Sequence, residues 1–122
     1  MYASTLARQQ MVAAEESSKG LSAYVDNYLS AEHRDTPSAG CLITALGAEI
    51  GREPAAKPAF TEHVRAVLKS LTSPFRRAKS RDARGDAIRL LSSMVGAVVI
   101  ARAVDDVELS NEILREARKS LK

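Results

Sequence analysis

Residues 86–104, DAIRLLSSMVGAVVIARAV, decide how this chain folds. Twelve uncharged residues follow one another from Leu90 to Ala101 in an otherwise well-charged sequence. A bilayer-spanning helix needs roughly 20 apolar residues, so the run reads as a helix buried in a globular protein. At about 100° per residue, Ala87, Leu91, Met94, Val95, Val98 and Ala101 share one side, an ordinary core face. Arg89, Ser92, Ser93, Gly96, Val99, Ile100 and Ala103 share the other. That second side is small in its middle and apolar toward its end, and Ser92 and Gly96, four apart, allow close approach of another helix. The few remaining helices compete for the first face. The second is therefore expected to meet another copy of the protein.

Working outward, the 122 residues make one domain, long enough to bury a core without staples. With 45% hydrophobic and 27% charged residues, the composition is that of a globular protein. Aromatics are scarce, with no Trp, three Tyr and two Phe, which argues against a base-stacking surface. The net charge of +3 does not single out nucleic acid. One cysteine, Cys41, excludes an internal disulfide framework and fits a reducing compartment. Its expected role is a small packed hydrophobe; the alternative is a redox-sensing thiol near a helix start. Two distant histidines give no recognisable metal site, and no cofactor is expected. Residues 1–20 lack the apolar core of a signal peptide, so the expected location is cytoplasmic.

Residues 2–16, helix formers with no breaker, predict a first helix despite weak periodicity. Leu21, Val25, Tyr28 and Leu29, with Tyr24 alongside, predict a helix over 18–29 capped by Ser17 or Ser18. Residues 31–39, polar and containing Pro37, predict a loop, with His33 solvated. Residues 41–50 predict a short apolar helix ended by Gly51 and Pro54. Phe60, Val64, Val67, Leu68 and Leu71 form the cleanest amphipathic stripe, on a helix opening at Pro58 after a separate turn at 54–57. Residues 72–81 predict a connection that turns at Ser73–Pro74. Ser80 or Asp82 caps the central helix, and Asp106 caps the last, whose stripe is Leu109, Ile113, Leu114, Ala117 and Leu121. Acidic residues at that helix's start and basic ones at its end complement its dipole. No segment alternates with period two. The fold class is all-α, a bundle of five to six helices.

The order of these pieces resembles one family. GCLITALGAEIGREPAA (40–56), FTEHVRAVLKSL (60–71) and LLSSMVGAVVIARAVDDVELSNEILREARKSL (90–121) look like the carboxy-terminal regulatory domain of TetR/AcrR-type transcriptional repressors, and YVDNYLSAEHRDTPSAG (24–40) is similar to the helix and loop before it. The resemblance runs from about residue 19 onward. It implies a homodimer whose last two helices pair with the partner's in a four-helix bundle, and a pocket for a small, mostly apolar effector. It also implies an amino-terminal helix-turn-helix domain that carries DNA binding and is missing from this chain. Nothing in residues 1–20 looks like a recognition helix, so the chain is expected to be the regulatory piece of a longer protein, meeting DNA only through that other domain.

Helix faces then nominate residues. Ligand cavities are largely apolar with a few polar groups that fix orientation. The candidates are Leu42, Leu46 and Glu49; Phe60, His63, Val64 and Val67; and Leu91, Met94 and Val98, with Tyr24 and Tyr28 as further polar groups. Glu49 and His63 could pair around a polar ligand head; otherwise both face solvent. The dimer face comprises Ser92, Gly96, Val99, Ile100 and Ala103 with Leu109, Ile113, Leu114 and Ala117. The cluster Arg76, Arg77, Lys79, Arg81 and Arg84 reads as a solvated face, with phosphate or an acidic partner as the alternative. No nucleophile stands at an informative spacing from a histidine or acid, and no glycine-rich phosphate loop is present, so no enzyme is expected. The rival to the regulatory reading is a stand-alone helical protein–protein interaction module without an effector pocket.

Overall fold

The computed structural model describes residues 18–35, 43 and 49–121. Among them are five α-helices and no strand: α1 (Ser18–Tyr28), α2 (Ala31–Asp35), α3 (Lys57–Arg77), α4 (Ala83–Ala103) and α5 (Val107–Ser120). The all-α bundle expected from the periodicity is what the chain forms. Residue 43 and residues 49–50 are helical as well, in the segment expected as a short helix. The expected first helix over 2–16 lies outside the described residues, as do Cys41, Leu42 and Leu46.

Helix α4 is the centre of the bundle. It packs on α3 and α5 and touches α2. Ala87, Leu90, Leu91, Met94, Ala97, Val98 and Ala101 are its buried side, one continuous face. They meet Tyr24, Val25 and Tyr28 of α1 and Leu29 just past its end, the separate Ile43, Leu68 and Leu71 of α3, and Leu114 of α5. Met94 and Val98 are fully enclosed, and each such side chain contributes about 1.5–3 kcal/mol by leaving water.

Both long C-terminal helices start where their caps put them. The Asp82 carboxylate accepts from the Gly85 amide at 3.0 Å. Asp106 accepts from the amides of Glu108 (2.9 Å) and Leu109 (3.2 Å). Such caps contribute about 1 kcal/mol each. Ser80, the other candidate for α4, holds the Asp86 carboxylate through its hydroxyl and takes the Asp82 amide at 3.2 Å.

Two segments differ from the sequence reading. Helix α3 does not stop at Leu71. It runs on to Arg77 with Pro74 inside it and buried. Phe75, four residues beyond Leu71, continues the apolar stripe and packs against the core. Burial of that last turn offsets the helix bond that proline cannot donate. The helix then ends in a Schellman motif: the Lys79 amide donates to the Arg76 carbonyl (3.0 Å) and the Ser80 amide to the Phe75 carbonyl (3.0 Å). Lys79 takes the left-handed position at φ 58°. At the helix's other end a 3-10 turn at Pro54–Ala56 precedes Lys57, with Pro58 in the first turn, close to the expected start.

The second difference is α2, in the segment read as a loop. Ser30 nucleates it, accepting the His33 amide at 3.1 Å while its hydroxyl donates to the Asn27 carbonyl at 2.7 Å. His33 is buried rather than solvated.

Candidate interaction face and the polar seam behind it

The outward side of α4 carries Ser92, Ser93, Val99, Ile100 and Ala103 in exposed positions, with Gly96 half-buried. Val99 is 46% and Ile100 52% exposed. Past the bend at 104–106, Val107 (68%) and Leu109 (41%) continue the exposed apolar surface onto α5. These four side chains lie within eleven residues, around the end of the α4–α5 hairpin. A Cβ built on Gly96 meets nothing within 4 Å, so this part of the face stands open. Ile113 and Ala117 are half-buried and rest on the core. Leu114, nominated for the dimer face, is 1% exposed and enclosed by its own chain, so it has no surface to give to a partner. Its place one residue past Ile113 turns it inward, beside Ser110.

The nominated ligand residues divide differently. Tyr24, Tyr28, Leu91, Met94 and Val98 are buried in the core and touch one another's helices. Phe60, His63, Val64 and Val67 are half-buried along α3, and Glu49 is exposed. No hydrogen bond joins Glu49 to His63 among the described residues. Two open clefts lie away from most of this set. One, of about 490 Å³, is lined by Asp26, Ser30, Ala31, Asn111, Leu114, Arg115 and Arg118. The other, of about 390 Å³, lies by Arg34, Asp35, Arg102, Val104, Asp105 and Val107, with Ala101 and Ser110 at its base. Among the described residues no group of three or more His, Cys, Asp or Glu could hold a metal ion.

Between these clefts runs a polar seam that fastens α1 and α2 to the hairpin. Ser110, buried on the inner side of α5, donates to the Ala101 carbonyl at 2.7 Å and accepts from Arg34 Nη1 at 2.7 Å. The same Arg34 nitrogen reaches Asn111 Oδ1 at 2.7 Å. The Nε and Nη2 atoms of Arg34 hold both Asp35 carboxylate oxygens, at 2.9 and 3.2 Å, which keeps that carboxyl below its ordinary pKa. Arg102 reaches back from α4 to the carbonyls of Arg34 (3.0 Å) and His33 (2.9 Å). Arg118 of α5 donates to the Leu29 carbonyl at 2.6 Å. Cations at helix C-termini satisfy carbonyls that the helix leaves open.

His33 completes the seam. Its Nδ1 stands 2.6 Å from the Tyr28 carbonyl, and a carbonyl only accepts, so Nδ1 carries the proton. The ring packs on Tyr28 at 4.6 Å between centroids. Burial pushes the imidazole below its ordinary pKa; the Tyr28 hydrogen bond opposes this and the Arg102 charge adds to it.

Sequence reasoning missed this seam. Periodicity points only at apolar faces, and the seam is built from arginines and main-chain carbonyls. One signal was present: Ser110 occupies the inward position of a stripe that continues through Leu114, Ala117 and Leu121. Among the described residues no helix is long and apolar enough to cross a membrane. Comparison of the chain with protein-family models, curated proteins and solved structures finds no match in any of the three.

Proposed function

We propose that this chain is the effector-binding and dimerisation domain of a TetR-type transcriptional regulator, two copies joining through α4 and α5. The observation that carries this reading is the open apolar surface of Val99, Ile100, Val107 and Leu109 at the end of the hairpin. Single exposed apolar residues are ordinary; a cluster on the two helices where the resemblance places a partner is not. A four-helix bundle would cover it, with Gly96 and Ser92 admitting the partner helix. A small apolar effector would bind between α1, α3 and α4, and DNA would be held by a helix-turn-helix domain outside this chain. An effector that favours one dimer shape over the other would shift the regulator off its operator.

Size-exclusion chromatography with light scattering tests the dimer. The chain is expected to run as a dimer, and Val99→Asp with Ile100→Asp to run as a monomer of unchanged helix content. A monomeric parent chain overturns the reading.

A second reading rests on the packing of the nominated pocket. Met94 and Val98 are fully enclosed, and Leu91 nearly so. A helical interaction module with no effector would look like this. A thermal-shift screen of apolar ligands separates the two, since a ligand bound only by the folded form raises the midpoint.

A further inference from the structure

The positive charge of this protein is concentrated in one turn. Arg76, Arg77, Lys79, Arg81 and Arg84 lie at the end of α3, in the connection and at the start of α4, and all five are exposed. Residues 76–84 thus hold five cations and one carboxylate, a surplus of four against +3 for the whole chain. The remaining residues together are one charge to the negative side. The one carboxylate, Asp82, is occupied as the cap of α4.

Several described cations outside this turn are paired. Arg65 pairs with Glu62 at 2.6 Å, Arg89 with Asp86 at 2.7 Å and Lys119 with Glu116 at 3.2 Å. The arginines of the seam are spent on carbonyls and on Asp35. No described carboxylate pairs with Arg76, Lys79, Arg81 or Arg84. Arg52, Lys57 and Lys69 also lack such a pair, but they are scattered singly. Lys79 moreover sits in the left-handed position of a helix end, where glycine is the favoured residue.

We propose that this turn binds the phosphate backbone of duplex DNA, without reading its sequence. The chemistry selects among polyanions. Stable attachment to a lipid surface wants an apolar anchor beside the cations. Among the described large hydrophobics that are exposed, only Ile88, 43% exposed one turn on from Arg84, stands near them. A single strand would want aromatic rings to stack on. The nearest aromatic, Phe75, is turned into the core. A duplex needs only closely spaced cations that displace its counterions. This contact belongs to the chain itself and does not depend on the dimer or on a helix-turn-helix domain.

Fluorescence anisotropy with a short duplex of arbitrary sequence, titrated across salt concentrations, tests it. Affinity is expected to fall with salt with a log–log slope of about −4, for about four phosphates contacted. Arg76→Gln with Arg81→Gln should weaken binding at the lowest salt at least tenfold, by a rough estimate, and flatten the slope by about two. Arg52→Gln with Lys69→Gln, which removes the same charge elsewhere, should change affinity by less than about twofold. Lys79→Gly should weaken binding while leaving the fold at least as stable, which separates a lost contact from a damaged protein. The proposal is overturned if the parent chain does not bind at low salt, or if both double variants weaken it alike. It is equally overturned if phosphatidylserine vesicles or polyglutamate retain the chain and the duplex does not.

Discussion

At Lys79 the backbone enters the left-handed region with a side chain that gains nothing locally from being there. An L-residue other than glycine pays about 1–2 kcal/mol for that conformation, less what glycine loses in the unfolded chain. Lys79→Gly is therefore expected to raise the unfolding free energy by about 0.5–1 kcal/mol, read from urea denaturation. Gly96 poses the opposite question. A methyl group there meets open space within one chain, and alanine is about 1 kcal/mol better than glycine inside a helix. If two copies pair as proposed, Gly96→Ala should stabilise the isolated chain and weaken the dimer, because the added methyl stands where a partner helix would approach. Denaturation at low concentration reads the first effect and the dimer dissociation constant reads the second. If the chain is stabilised and the dissociation constant does not rise, Gly96 is not at the subunit contact.

The short helix α2 depends on a histidine that must stay neutral. Its folded pKa lies below the ordinary 6.5, chiefly because of burial. As pH falls below that value the unfolded chain takes up the proton first, so stability declines until the folded imidazole titrates too, and then levels off. Thermal midpoints should fall between pH 7 and pH 5, and His33→Gln should flatten that part of the curve. Hydrogen exchange should show the loss in α1 and α2 before α3 and α4.

How much of each element could be read in advance follows the same division. The inner face of α4 and the Asp106 cap were legible, and Asp82 was one of two candidates for the α4 cap, because a 3.6-residue period and a carboxylate before it leave a pattern in the letters. The last turn of α3 was not, since Pro74 signals a break and only the burial of Phe75 overrides it. Nor was α2, whose five residues are too few for a period and whose bonds from Arg102 come from more than sixty positions away. The candidate site was half legible. Val99, Ile100 and Leu109 stood out as apolar residues without a home, whereas the neighbours that turn Leu114 inward come from distant parts of the chain.

For the molecule as a whole, one helix serves two surfaces. The inner side of α4 holds the bundle together, and its outer side carries exposed Val99 and Ile100. If the outer side joins two copies, folding and assembly are linked, and the thermal midpoint of the parent chain should climb with protein concentration while that of the Val99→Asp, Ile100→Asp variant stays flat. The polar fastening of α1–α2 is lopsided in a different sense. Arg102 and Arg118 supply the donors, and the acceptors are the peptide oxygens of Leu29, His33 and Arg34. Every amino acid carries such an oxygen. For these three bonds, then, the instructions are written at codons 102 and 118 and are silent on the facing side, so mutation on that side could alter what the short helices present to the outside without erasing where they dock.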